Sequence, residues 1–421
     1  MSTGGSMTTP AGHDDELTRS GAPVRPSRAV ERASIAVFAV FFLNGFNFAT
    51  WAARLPATRD GLGFLPAQMG LLLLVGSVGS LVALPLSGMV VERLGARRTV
   101  LTFAVLNASG LVVASVGVAL GQVLVVGAGL VLFGVGTGVW DASMNVEGAV
   151  VEQHLGRTVM PRYHAGFSFG TVAAAGIAAV AAGLHVPVVV HVPVAVALSV
   201  VGVAVAVRAF LPLEDAVARP AADQPGKGAR GALAAWLEPR TLLIGLVVLA
   251  AALTEGSAND WVSLAVVDGF DVGDALGAVA FAVFVTAMTA MRWFGTTLLD
   301  RHGRVAVLRL CAGLSLVGLL IFGLAGPLWL AIVGIVAWGA GAALGFPVGM
   351  SAAADDPLRA AARVSVVSTI GYSAFLAGPP LLGLLAQHVG YRHALLVIIV
   401  PIVLGLLVVN AAAPLKKAVQ G

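Results

Sequence analysis

Gly88-Met89-Val90-Val91-Glu92-Arg93-Leu94-Gly95-Ala96-Arg97-Arg98 ends one long apolar run and opens the next. A shorter copy, Asp300-Arg301-His302-Gly303-Arg304, does the same in the second half of the chain. Adding 208 to Glu92, Arg93 and Gly95 lands on Asp300, Arg301 and Gly303. The second copy has Thr296 where the first has Gly88, with Gly295 adjacent. A charged turn repeated at matching places between apolar segments points to a membrane protein of two like halves, the pattern of secondary transporters.

Composition agrees. Of the 421 residues only 11% are charged and 58% are apolar, and the mean hydropathy is +0.95. A soluble domain carries about a quarter charged residues, because its surface faces water. The solvent of this chain is therefore the lipid bilayer. Fifty-two glycines fit, since helices in lipid pack through small residues. A single cysteine, Cys311, excludes an intrachain disulfide and a cysteine-rich metal site, and no metal or cofactor is expected. The pI near 9.7 does not imply a nucleic-acid partner, because the basic residues are scattered through short loops.

A span needs about 20 apolar residues. Twelve candidates follow: 33–53, 67–90, 99–118, 122–148, 162–183, 188–211, 241–266, 275–298, 305–325, 328–350, 365–387 and 394–413. The expected organisation is a disordered tail over 1–31, a six-helix bundle over 32–211, a linker over 212–240, a second bundle over 241–413 and a tail over 414–421. The polar start is not a signal peptide, because the apolar run after it is long enough to span and has a counterpart in the second half. With both termini in the cytoplasm, 21 of the 25 Lys and Arg residues lie inside. Only Arg54, Arg59 and Arg392 lie outside, and Arg292 falls within a span, so both ends are expected to be cytoplasmic.

The pattern Gly-x-x-x-Glu-Arg-x-Gly-x-Arg-Arg between spans two and three resembles the signature loop of the major facilitator superfamily, and 300–304 resembles its weaker second copy. The resemblance covers nearly all of the chain after residue 32. It implies an all-α membrane protein with twelve transmembrane helices in two six-helix bundles around a central cavity, open alternately to either side. Gly88, Glu92, Arg93, Gly95, Arg97, Arg98, Asp300, Arg301, Gly303 and Arg304 would then gate the conformational switch. On charge alone, an acid at a helix end and arginines on the next turn can pair across the bundle interface.

Ionisable groups inside spans are costly and usually face a cavity. Here they are Asp141, Glu147, Glu255, Asp260 and Arg292, with His164 near the start of span five. Asp141 and Asn145, four apart, share a helix face. The pair resembles the Glu-x-x-x-Asn of span four in fucose permeases, which implies that Asp141 is the protonatable carboxylate and Asn145 a polar cavity group. Met144-Asn145-Val146-Glu147-Gly148, His164-Ala165-Gly166-Phe167-Ser168-Phe169-Gly170, Glu255-Gly256 with Asp260-Trp261, and Gly371-Tyr372 with Gly378-Pro379 resemble a bacterial set that includes YbjJ and a membrane protein of rhizopine loci. The resemblance implies a multi-pass protein of the bacterial cytoplasmic membrane. Fucose permeases also use an acid in span one, where this chain offers Asn44, Asn47 and Thr50.

Desolvation raises a carboxyl pKa, so a cavity acid such as Asp141 can load and release protons near neutral pH. His164 can relay them from Asp141 to water, or bond a carbonyl at the helix end. Glu147 stands near the cytoplasmic end of span four, where it can pair with Arg93 or Arg157 or reach the cavity; pairing suits its position better. Glu255 lies roughly 21 Å along span seven from Thr241, near mid-depth and facing the cavity. Asp260 and Trp261 read as a solvated acid beside an interfacial aromatic. Arg292 serves either an anionic substrate or an acid of its own bundle, and the second is favoured.

Gly134-Val135-Gly136-Thr137-Gly138 and Gly339-Ala340-Gly341 lack the strand and Lys-Ser/Thr of phosphate loops, so they are packing glycines. Neither an ATPase motif nor a catalytic constellation is visible, so an enzyme is not expected. The expectation is a monomeric, proton-coupled symporter of a small polar solute: a sugar, sugar acid or cyclitol. The alternative is a proton-driven exporter of a drug or lipophilic metabolite. It is disfavoured by the absence of a Gly-Pro pair in span five and by few aromatics along the cavity. A sensor that had kept this fold would need a structured cytoplasmic extension, which neither 1–31 nor 212–240 offers.

Overall fold

A computed structural model describes residues 27–156, 159–211, 234–356 and 359–415. Every regular element among them is helical. The first half comprises α1 (Arg28–Ala52), α2 (Leu55–Leu62), α3 (Pro66–Ala119), α4 (Val123–Leu155), α5 (Met160–Gly183) and α6 (Val188–Ala206). The second comprises α7 (Pro239–Phe270), α8 (Asp274–Leu324), α9 (Leu328–Ala342), α10 (Gly345–Ala353), α11 (Ala360–Val389), α12 (Tyr391–Leu395) and α13 (Ile399–Val408).

Among the described residues eleven helices are long and apolar enough to cross a membrane, with the two arms of α3 counted separately. The 51-residue α8 is itself two spans, which gives twelve. Both breaks fall at the duplicated turn. Gly95 has φ 75° and ψ 155°, and Gly303 has φ 74° and ψ 163°. Only glycine adopts this backbone region readily, so the two glycines, 208 apart, turn the chain in the same way. The tenth span is α9 with α10, and the twelfth is α12 with α13.

Successive spans alternate in direction, so α1, α3 beyond Gly95, α5, α7 and α11 all leave from one face. We call this the terminal face, since α1 begins there and the last helix ends there. Some expected boundaries shift. The anticipated tail ran to residue 31, whereas α1 starts at Arg28, where the Ser27 hydroxyl accepts the Val30 N–H at 3.3 Å. Span four continues to Leu155, past the expected 148. Most of the tail (1–26), most of the linker (212–233) and Arg157 lie outside the described residues.

The halves meet towards the opposite face, with α3 against α11 and α5 against α8. The α3–α11 approach is backbone on backbone. A Cβ on Gly70 would collide with the Pro379 carbonyl oxygen, and one on Gly383 would lie 2.7 Å from the Pro66 carbonyl oxygen. Small residues permit this approach.

Candidate functional site

Asp141 and Asn145 occupy the expected face of α4 but do not pair through their side chains. Asn145 Nδ2 donates to the backbone oxygen of Asp141 at 2.8 Å. The half-buried Asp141 carboxylate has no hydrogen-bond partner among the described residues. It interacts electrostatically with Tyr372 of α11, so it lies where the halves face each other. His164 is exposed at the start of α5, its ring edge-on to Phe41 with centroids 5.1 Å apart. No hydrogen bond joins it to Asp141 among the described residues. Its electrostatic partner is Arg292 of the other half.

The second half contributes an ion pair. Arg292 Nη2 donates to both oxygens of Glu255, at 2.9 and 2.8 Å. Arg292 Nε donates to the Ala343 carbonyl at 3.1 Å. That carbonyl is free because the helix is interrupted between Ala342 and Gly345. Arg292 therefore neutralises an acid of its own half, as its sequence context favoured. The pair remains open, with side-chain exposures of 27% for Arg292 and 21% for Glu255. The offset of 208 relates Glu255 to Asn47, so spans one and seven carry polar groups at matching positions.

Several expectations are corrected. Asn47 is fully buried inside the first half, not at the interface: its Nδ2 donates to Asn107 at 2.9 Å, and Asn107 in turn donates to Thr137 at 2.9 Å. Asn44 is also buried, at 4% exposure, with no hydrogen bond to Asp141. Trp261 is 1% exposed and packs on Tyr391 with centroids 5.5 Å apart, so it is a core residue and not an interfacial one. Among the described residues one aromatic contact crosses the halves, and Tyr372 makes two more within the second half. Phe169 of α5 meets Trp293 of α8 at 6.1 Å, and Tyr372 stands between Phe346 and Phe375 at 6.0 and 6.3 Å.

The terminal face also differs from expectation. Glu147, 1% exposed, accepts the Leu211 N–H at 2.9 Å and does not pair with Arg93. Glu92, Arg93, Arg97 and Arg98 are exposed and form no ion pair among the described residues, and a Cβ on Gly88 would meet nothing. Asp300 and Arg301 are exposed as well. Arg304 does pair, but within its own half. Its Nη1 donates to both Asp355 oxygens at 2.8 and 2.9 Å, and Arg240 Nη2 donates to Asp355 at 2.8 Å. Pairing across the two halves at this face is therefore not present among the described residues.

Asp355 escaped the sequence reading, yet it lies 208 residues after Glu147, so the duplication itself points to it. Beside it, Glu238 accepts from Arg363 at 2.6 Å and Arg359 at 3.1 Å. The Arg363 hydrogen bond, foremost, holds the Glu238 carboxyl below the usual carboxylate range.

At the opposite face one arginine spans the halves. Arg59 of α2 pairs with Asp60 at 2.7 Å and with Asp268 of α7, and its guanidinium lies 6.0 Å from the Tyr391 ring centre. Among the described residues no cluster of three or more His, Cys, Asp or Glu side chains is placed to hold a metal.

Comparison with known proteins agrees with this architecture. The chain is 31% identical to the uncharacterized transporter y4wD of Sinorhizobium fredii over 85% of its own length and 92% of the relative's. It is 28% identical to the membrane protein MosC of Rhizobium meliloti over 93% and 94% of the two chains. The fold superposes on a point mutant of the nucleoside transporter NupG with a TM-score of 0.71 at 15% identity, covering 91% and 99% of the chains. A point mutant of the Escherichia coli fucose:proton symporter FucP superposes with a TM-score of 0.63 at 14% identity, covering 92% and 100%. The Major Facilitator Superfamily model matches residues 37–371 and 261–420, and the chain belongs to that superfamily of membrane transporters.

Proposed function

We propose that this transporter moves a small polar solute, a sugar, sugar acid or cyclitol, together with protons by alternating access. The observation that carries the reading is the Asp141 carboxylate. It has no counter-charge in its own half among the described residues and interacts electrostatically with Tyr372 of the other. A lone acid at a moving interface suits proton loading, because each conformation changes its surroundings. FucP, whose fold is similar, is a fucose:proton symporter by name.

In this reading the terminal face is cytoplasmic, in a bacterial inner membrane, as the basic residues favour. Residues 212–240 link bundles 32–211 and 241–413, and one chain is the working unit. The described conformation is then closed to the outside by Arg59 and Asp268. The duplicated turns, with Glu147 and Asp355 behind them, set the switching equilibrium at the cytoplasmic face.

Proteoliposomes with an imposed pH gradient and a panel of sugars, sugar acids, cyclitols and drugs test this. Wild type accumulates a polar solute. Asp141→Asn abolishes accumulation but leaves counterflow exchange partly intact. Accumulation by Asp141→Asn equal to wild type overturns the proton assignment. A second reading, export of a drug or lipophilic metabolite, is favoured by the aromatics Phe169, Trp293, Phe346, Tyr372 and Phe375. It predicts proton-driven extrusion of hydrophobic cations and no sugar uptake.

A further inference from the structure

We infer that the solute carries a carboxylate and that Arg292 receives it, with Glu255 acting as an internal stand-in when the site is empty. This rests on the transport reading above and narrows its substrate class.

The geometry of one guanidinium carries the argument. Arg292 has five N–H donors in a rigid plane. Nε is fixed by the Ala343 carbonyl, and Nη2 is occupied by Glu255. Nη1 makes no hydrogen bond among the described residues, and its side chain is 27% exposed. The plane is therefore oriented by the backbone while one edge stays open. A guanidinium so held binds carboxylates well, because planar donors meet planar acceptors with little ordering left to lose. A neutral sugar or cyclitol would leave the open Nη1 edge without an anionic partner.

The surroundings suit a small hydroxylated acid. Trp293, the next residue, is exposed and meets Phe169 of the other half. His164 lies within electrostatic reach of Arg292 from the other half, and Asp141 and Tyr372 form a neighbouring pair across the same interface.

Charge accounting then ties the anion to a proton. With Glu255 ionised, an incoming carboxylate would place two negative charges on one guanidinium away from bulk water. A proton taken from water by Glu255 releases Nη2, and the solute carboxylate takes its place. On exit the solute leaves, Glu255 gives up the proton on that side, and the ion pair reforms. One carboxylate and one proton cross together, so the cycle moves no net charge through this site.

Glucuronate, glucose and inositol serve as probes with the purified full-length chain. Glucuronate should raise the melting temperature and accumulate when driven by an imposed proton gradient, while glucose and inositol do neither. Arg292→Gln should weaken glucuronate binding by about a hundredfold, the scale of a lost charge-assisted pair. Since that variant leaves Glu255 without a partner, Arg292→Gln/Glu255→Gln provides a neutral control for folding and should likewise not bind. Glu255→Gln should bind about tenfold more tightly at pH 7.5, with binding independent of pH, and should lose accumulation. Proton-driven uptake of glucose or inositol, with glucuronate neither bound nor competing, overturns this inference and leaves the proton-coupled transport reading standing. Glucuronate binding that needs Arg292, with no proton-driven movement of any solute, supports the site and overturns the transport reading.

Discussion

Glu147 and Asp355, 208 residues apart, hold the terminal face of their respective halves by different chemistry. Glu147 accepts one backbone N–H, from Leu211 at the end of span six, at 2.9 Å. Asp355 accepts two guanidinium groups, Arg304 from the duplicated turn and Arg240 from the start of α7. Arg240 also donates to the Ala413 carbonyl at 3.0 Å, which brings in the end of span twelve. Glu147 thus acts through a single bond to the backbone and Asp355 through a charged knot.

Replacing the two acids should have unequal effects. Asp355→Asn leaves two arginines without a counter-charge beside a side chain only 12% exposed. The cost should be about 3 kcal/mol, the lower end for breaking a buried pair. Glu147→Gln keeps an oxygen for the Leu211 N–H and should cost under about 1 kcal/mol. Denaturant unfolding in detergent micelles checks the ranking. Equal losses would show that the arginines find other acceptors.

Arg59 and Asp268 should stabilise the state in which the opposite face is closed. Their side chains are 11% and 41% exposed, so the pair is worth about 1 kcal/mol, or about fivefold in the closed-to-open ratio. Leu65 and Leu276, both exposed, lie on different halves at that face and accept spin labels. In Asp268→Asn the long-distance population between the labels should grow, and the reciprocal exchange Arg59→Asp/Asp268→Arg should restore it. An unchanged distance distribution in Asp268→Asn would show that backbone packing at Gly70 and Gly383 alone closes this face.

The fold was legible because its signals are local: apolar runs of spanning length, and a turn repeated at a fixed offset. The Glu255–Arg292 pair was legible in part, since an arginine inside a span must find an acid. What escaped depends on helix rotation. Helices apolar on every side carry no stripe that shows which residues face a neighbour. That is why Trp261 sits in the core, Asn47 turns into the first half, and Phe169 and Trp293 meet between the halves. Glu147 misled for another reason. Its partner is a backbone N–H, which leaves no trace in the side-chain sequence, whereas arginines were near at hand in the chain. Asp355 was readable in principle, through the same offset that identified the turns.

The glycines of the duplicated turn should separate into two classes. Gly95 and Gly303 hold φ near 75° with extended ψ, so an alanine at either position should cost about 1–3 kcal/mol. Gly88 faces open space, so Gly88→Ala should leave stability of this conformation unchanged. Thermal unfolding of the three alanine variants distinguishes them. If Gly88→Ala slows transport without loss of stability, its contact is made in the other conformation, which is where a gating residue would need it.

Glu238 gives the terminal face a pH dependence whose sign follows from its lowered pKa. A carboxylate held below its unfolded value stabilises the fold above that value, near 4.5, and loses the effect as pH falls through the folded value. The charge cluster with Arg359 and Arg363 should therefore hold at pH 7 and weaken below about pH 4.5. Because Arg359 is 64% exposed, the contribution is about 1 kcal/mol or less. Glu238→Gln should lower the melting temperature at pH 7, with a deficit that shrinks as pH falls below about 4.5. A deficit that persists undiminished at pH 3 would mean that the loss comes from the Thr241 hydrogen bond at 2.9 Å and not from the ion pairs.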